Sequence, residues 1–478
     1  MVLEDRGGLM AVVAVAVLSA CGGRTPGQVG PDGGARDASP EAADSGADDS
    51  GPGDSGVDAG ASADAGQSLD AALPALAVQY GGGNSDEFLD VLAAGDLVYV
   101  AGYRNSALPW EPEGDSAGVV RAYATNGDVV WERLYDVELA TEVADALALD
   151  GETLLVAGRT TGAYPGFTNA GKSDLVLSRL DRKGAAVTPT HQAGDDRPQH
   201  PNRIAVDGRG DVVVSGLNDV FIPTNYVEAW EDSLLARFGV DRVGNAFSLQ
   251  SMTRSDSTVS DRLLGLAAYG ADGDVIVTGS VSAGPERGPF AQRRTASGAV
   301  VWTQRFTDSG YDAASAVVAG GDGLVVVAGS TFAQLGARSY GQQDAFVAVL
   351  DGATGALLRA FQAGTSDTDW VRDLAVDAEG NFWLAGGTYG ALPGFTSQGD
   401  NDAFLIRFDA SGAWTGSWQH GTPGYDDANA VALDAAGNAY VVGNTQGNFV
   451  AGETYGGALD GFLLRVRPDQ LAAPSDAR

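Results

Sequence analysis

The chain has 478 residues, 44% of them hydrophobic, which is ample for a large core and more than one ordinary domain needs. Its 29 Lys and Arg face 63 Asp and Glu, a formal charge of −34, which argues against nucleic acid and against surface adsorption on anionic lipid. A single cysteine, Cys21, excludes an intramolecular disulfide.

Residues 9–20 (LMAVVAVAVLSA) form an apolar run of about a dozen residues, too short to cross a hydrocarbon core of about 30 Å as a settled helix. It reads as the core of a signal peptide over residues 1–20. The run ends Leu18-Ser19-Ala20-Cys21-Gly22, which resembles the lipobox of bacterial lipoproteins. The resemblance implies cleavage before Cys21, acylation of its thiol (palmitate included) and a lipid bilayer as first partner. Each buried methylene of such chains adds about 0.8 kcal/mol, and two chains give stable anchoring. Gly22, in place of an aspartate, points by the same analogy to the outer membrane or cell surface of a Gram-negative bacterium.

Residues 21–72 are Gly, Ala, Asp, Ser and Pro with almost no bulky apolar side chain, and Asp32 to Asp70 holds nine Asp and one Glu against one Arg. Such a segment cannot bury enough surface to offset its ordering entropy, so it is expected to be a disordered linker. Flexible chain of this length spans roughly 40 Å root-mean-square, enough to lift a globular head off a membrane. The run Asp44-Ser45-Gly46-Ala47-Asp48-Asp49 lacks the glycine and terminal glutamate of a calcium loop, and no metal or cofactor is expected.

From residue 73 to 470 one pattern returns seven times. An apolar strand, a tight Gly/Asp turn and a second apolar strand close on Gly102, Gly158, Gly216, Gly279, Gly329, Gly386 and Gly443. The intervals match a propeller blade with generous loops rather than a helical solenoid. The second strand is apolar almost throughout, as in Leu324–Ala328 and Phe382–Ala385, so both of its faces are expected to be buried between stacked sheets. A third strand often opens on aspartate (Asp174, Asp232, Asp344, Asp402, Asp460). Arg121, Arg179, Arg237, Arg293, Arg407 and Arg465 recur within it, Val349 taking the place in blade five. Repetition around a ring suits a structural role for these arginines, in ion pairs or bonds to loop carbonyls. After Phe462–Val466 the chain has no evident fourth strand, and Leu76–Tyr80 supplies the missing one, closing the ring without a free edge. Residues 471–478 read as a flexible tail. The expected fold is all-β: a seven-bladed propeller of four-stranded antiparallel blades, closed by the N-terminal strand.

The loops Gly162-Ala163-Tyr164-Pro165-Gly166-Phe167-Thr168 and Gly390-Ala391-Leu392-Pro393-Gly394-Phe395-Thr396 are nearly the same. With the Asp-Ala-Phe strand openings and the Gly-Asn-Ala-Tyr-Val-Val-Gly turn, they resemble the SBBP-type bacterial β-propeller repeat over residues 80–467. That resemblance implies the fold and a secreted or surface protein, and carries no shared catalytic residues. Thr125-Asn126-Gly127-Asp128-Val129-Val130-Trp131 and Ala296-Ser297-Gly298-Ala299-Val300-Val301-Trp302 more faintly resemble the tryptophan-docking motif of quinoprotein-like propellers, where the indole packs between blades.

Chemistry is sparse. His191 and His420 fall in or beside fourth strands, and His200 is placed in a polar loop before Pro201. The three share no metal-ligand spacing, and no HExxH, nucleophile elbow or phosphate loop occurs. Asp195, Asp196, Asp367, Asp369, Asp426 and Asp427 recur at blade corners and read as solvated turn caps. No catalytic residue is assigned, and Cys21 is the one modification site. These features fit a monomeric envelope module that binds or scaffolds proteins or glycans. The alternative is a propeller enzyme, a quinoprotein-like oxidoreductase or a polysaccharide-active one, whose site is assembled from several blades.

Overall fold

The computed structural model describes residues 76–81, 85–105, 116–220, 230–243, 246–255, 260–450 and 458–474. The signal peptide, Cys21 and the linker expected at 21–72 lie outside the described residues. Among those described, every regular element is a strand apart from one 3-10 turn at Pro468–Gln470. It forms seven separate four-stranded antiparallel sheets. Six blades use consecutive strands, over residues 86–135, 142–193, 199–254, 261–305, 313–363 and 369–420. Blade seven takes three strands from 426–466 and its fourth, β1 (Ala77–Tyr80), from the other end of the chain. β1 pairs antiparallel with the blade's third strand (Asp460–Val466) in the register Ala77↔Leu464 to Tyr80↔Gly461. The first strands of successive blades neighbour one another around the ring, that of blade seven meeting that of blade one.

The seven closing glycines answer to one local device. In every blade the first strand carries one extra residue opposite the glycine, at Leu89, Asp145, Asn202, Leu264, Ser315, Arg372 and Asn429. Such a bulge bends the strand and re-aims its side chains. It also presses a carbonyl onto the partner strand. A Cβ on Gly102 would overlap the carbonyl oxygen of Glu87, and the same overlap occurs between Gly329 and Ala313 and between Gly443 and Asp427.

A second repeated device ties the long loop before the third strand. The opening aspartate accepts a hydrogen bond from a fourth-strand glutamine: Gln192 to Asp174 at 2.8 Å, Gln362 to Asp344 at 3.2 Å and Gln419 to Asp402 at 2.7 Å. In blade seven the glutamine is Gln79 of β1, 2.9 Å from Asp460. Its Nε2 also donates to Gly447 O, and its Oε1 accepts from the N–H groups of Phe449 and Val450. A glycine two residues after each glutamine (Gly81, Gly194, Gly364, Gly421) leaves room for the aspartate, which a Cβ would strike. The pattern Gln-x-Gly in Gln79-Tyr80-Gly81 was therefore a readable sign that β1 is a displaced fourth strand.

Core packing lies between sheets, with one apolar cluster at each of the seven blade interfaces. The tryptophans dock across these interfaces. Trp131 donates its indole N–H to Arg182 O of blade two at 2.8 Å, and Trp302 to Gly352 O of blade five at 2.9 Å. The third-strand arginines are anchored in the frame: Arg179 to Asp150 at 2.9 Å, Arg293 to Asp274 at 2.8 Å, Arg237 to Asp207, and Arg465 to Thr125 O of blade one at 2.8 Å. Two sequence expectations change. His200 lies within the first strand of blade three (Gln199–Val206), not in a loop. Pro201 is tolerated there because this strand is a sheet edge and a bulge follows at once. The tail does not begin at 471, since Ala472 exchanges two backbone bonds with Ser417 (2.8 and 2.9 Å) and Leu471 packs over Gly416.

Gly329→Ala should destabilise the head by about 1–3 kcal/mol or more, as overpacking against backbone does. Gly321→Ala in the same blade should be neutral, because nothing lies within 4 Å of a Cβ there; chemical denaturation of both variants compares them. A chain beginning at Asp86 should melt well below one beginning at residue 73, and equal midpoints would refute closure by β1.

Candidate binding site at the channel mouth

The first strands neighbour one another around the ring, and at their bulges the blades stop being alike. Across the boundary between blades six and seven, Arg372 donates from Nε (3.0 Å) and Nη2 (2.8 Å) to one oxygen of Asp427, and both residues are buried. The same carboxylate accepts from Trp370 Nε1 at 3.0 Å and from the Tyr425 hydroxyl at 3.3 Å. The Tyr389 ring lies 5.0 Å from that of Trp370. Across the boundary between blades seven and one, Glu87 accepts from the Tyr103 hydroxyl at 2.6 Å and from Asn444 Nδ2 at 3.4 Å. In blade two Arg159 pairs with Asp145 at 3.0 Å.

One residue further along the strands, Arg203 of blade three reaches across the ring to blade six. Its guanidinium lies 3.2 Å from Asp373 Oδ1 and 3.3 Å from Arg372 O. Asp373 Oδ2 also accepts the N–H of Val431 at 3.0 Å. Asp90, the matching residue of blade one, accepts from Leu147 N at 2.7 Å. These bonds tie each aspartate to the neighbouring blade and lay a salt-bridged floor across the channel.

Burial dominates the electrostatics. It pushes the Asp90 carboxyl up to about 7 against the opposing pull of Arg203. Asp145 also rises to about 7, against Arg159. Glu87 is raised by burial, with Tyr103 and Arg372 opposing. Burial and the Arg159 charge push His200 down to about 3, so its imidazole is neutral near pH 7. The Tyr389 and Tyr425 hydroxyls are raised by burial and stay protonated donors.

The corner carboxylates named from sequence divide. Asp369 and Asp426 open the first strands of blades six and seven and are fully buried, not solvated. They serve as caps all the same: Asp369 accepts from Thr365 N at 2.7 Å, and Asp426 from the hydroxyls of Thr422 (2.9 Å) and Thr445. Asp427 is not a cap but the centre of the Arg372 cluster. Asp195 accepts from Arg197 N and Gln199 Nε2, Asp367 from Thr368 N and Gln342 Nε2, and Asp196 is exposed. His191 packs edge-on to Phe167 at 5.2 Å, and His420 to Phe449 at 4.7 Å. Among the described residues no three His, Cys, Asp or Glu side chains converge as metal ligands. Sequence reading missed Glu87, Asp90, Asp145, Arg159, Arg203, Arg372 and Asp373. Their one signal was polarity in strands that are otherwise apolar.

The raised acids set a pH dependence. Asp90, Asp145 and Asp369 at about 7 and Asp426 at about 6 hold protons in the native state that the unfolded chain, with an ordinary value of 3.8, releases. Their contribution to stability is complete below about pH 4 and is lost as pH rises through 6–7. Asp351 and Asp409, held low by Thr354 and Ser411 in exposed turns, act in the opposite sense below their ordinary value, as does buried neutral His200 below its ordinary 6.5, one group against four. Melting scans should therefore show a higher midpoint near pH 5 than at pH 8. Asp90→Asn should flatten that slope.

A family model described as SBBP, beta-propeller repeat, matches residues 418–449, which take in the end of the fourth strand of blade six and the first two strands of blade seven. No curated protein matches the sequence. Among solved structures, the chain is similar to Sqt1 from Chaetomium thermophilum (12% identity, 78% of this chain and 83% of that one, TM-score 0.44). It is similar also to a protein of unknown function from Dyadobacter fermentans (12% identity, 82% and 99%, TM-score 0.42). A third is the quinohemoprotein alcohol dehydrogenase from Comamonas testosteroni (12% identity, 81% and 76%, TM-score 0.45). The chain carries an SBBP β-propeller repeat within a ring of seven four-stranded blades.

Proposed function

We propose that this protein is a binding or scaffold module of the bacterial cell envelope. Acylated Cys21 anchors it, the acidic linker 21–72 spaces it from the outer membrane, and the propeller works as a monomer without a cofactor. Its partners are envelope or extracellular proteins or glycans, met at the mouth of the channel. One observation carries the binding reading: the conspicuous carboxylates of the mouth already accept hydrogen bonds from the protein itself. Asp427 is held by Arg372, Trp370 and Tyr425, and Glu87 by Tyr103 and Asn444. Groups held this way suit a rigid recognition surface better than a nucleophile or base free to move a proton. A second reading, a polysaccharide-active enzyme, draws on Asp145, whose carboxyl is raised to about 7 beside the mouth.

Cys21→Ser should move the protein from the membrane to the soluble fraction of the producing cell. Unchanged partitioning would overturn the anchor. Full-length protein incubated with neutral polysaccharides, and separately with alcohols, quinone and calcium, should show no turnover. Sustained product formation that Asp145→Asn abolishes would replace the binding reading with the enzymatic one.

A further inference from the structure

Resting on the binding reading, we infer that the mouth over blades five, six, seven, one and two is a site for a neutral, polyhydroxylated ligand, the exposed end or ring of a glycan. Three independent features point to that chemistry. The first is charge. The basic groups at the mouth are paired, Arg372 with Asp427 and Arg159 with Asp145. A cationic ligand meets two guanidinium groups, and an anionic one meets Asp427, Asp145 and Glu87. A ligand without formal charge meets neither penalty.

The second is hydrogen-bonding capacity of both kinds. Tyr389 keeps its hydroxyl proton as a donor, while Tyr425 gives its proton to Asp427 and offers its oxygen as an acceptor. Asn444 is buried, gives its Nδ2 to Glu87 and leaves Oδ1 without a hydrogen-bond partner among the described residues. Asp145, also buried, leaves Oδ2 in the same condition. A buried acceptor without a donor costs about 1–3 kcal/mol, and a hydroxyl-bearing ligand offers donors and acceptors on neighbouring atoms. The third is aromatic surface on one arc of the rim. Tyr311 is 65% exposed and Phe332 40% exposed on blade five, and Tyr389 and Tyr425 are half-buried on blades six and seven. Tyr311 adjoins blade six through Gln343, whose Nε2 donates to its carbonyl and which bridges to Thr368. Flat rings beside polar groups give the apolar face of a sugar a platform while its hydroxyls reach inward. Arg203 and Asp373 cross the channel beneath, so the ligand rests over the mouth and does not thread the ring.

The test uses the full-length protein in detergent, with intrinsic tryptophan fluorescence as the readout, because Trp370 lies within the site. The probes are neutral hexasaccharides of glucose, mannose, xylose and N-acetylglucosamine, with hexalysine and hexagalacturonate as charged arms. Saturable binding of a neutral hexasaccharide is expected, weakened about tenfold by Tyr389→Ala, a loss of about 1.4 kcal/mol. Tyr311→Ala, on an exposed side chain that leaves the fold intact, should weaken it severalfold, and melting scans on both variants confirm folding. Absence of binding to all four neutral probes, or binding that neither variant weakens, would overturn the inference. Preference for hexalysine or hexagalacturonate, weakened by Tyr389→Ala, would overturn the assignment to a neutral ligand and leave the binding reading standing. Hydrolysis of a neutral hexasaccharide would overturn the binding reading itself.

Discussion

The contact between each closing glycine and the bulged first strand is the constraint on which the rest of the head depends. A bulge sets one more residue on the inner strand than its partner can match, and the surplus is absorbed by pushing a carbonyl toward the neighbouring backbone. Only a residue without a Cβ accepts that carbonyl, which is why glycine stands at Gly102, Gly158, Gly216, Gly279, Gly329, Gly386 and Gly443 alike. The extra residue at the bulge is Arg372 in blade six and Asp145 in blade two. Framework and site thus share one device: the glycine accommodates the kink, and the kink presents Arg372, Asp145 and their neighbours.

Around that device the frame repeats its polar bonds as faithfully as its apolar ones. Aspartate and glutamine lock the long loop in blades two, five, six and seven, and in blade seven the glutamine arrives from the far end of the chain. Ring closure by β1 is therefore specified by main-chain pairing, by the apolar contact of Leu76 with blade one and by a buried side-chain bond at once. A strand that satisfies three separate demands has little freedom to slip in register.

Charge is distributed on a similar plan. The protein is strongly acidic, yet its buried carboxylates cap turns and strand starts, meet arginine or accept hydrogen bonds from a neighbouring blade. Burial then raises several of them into the neutral range, as at Asp90, Asp369 and Asp426. The frame keeps these acids in equivalent places from blade to blade. At the mouth the equivalence ends: the positions that hold Trp370, Arg372 and Asp373 in blade six hold Ala313, Ser315 and Ala316 in blade five. Such asymmetry in a symmetrical ring is where recognition can be placed without disturbing the fold.

What the sequence determined by itself was everything that repeats. The seven glycines, the continuous second strands, the third-strand aspartates and arginines and the displaced fourth strand Leu76–Tyr80 are each demanded locally, blade after blade, so their spacing spells out the architecture. The docking of Trp131 and Trp302 was legible for the same reason. Pro201 concealed the strand that holds His200, because a proline reads as a loop unless the strand is known to be an edge. Of the polar mouth only Asp427 was singled out, and as a turn cap. Arg203 and Asp373 stand 170 residues apart, Asp427 and Glu87 lie near opposite ends of the head, and no spacing relates them. Only closing the ring brings those residues to one axis, because a propeller converts position around a circle, rather than distance along the chain, into proximity.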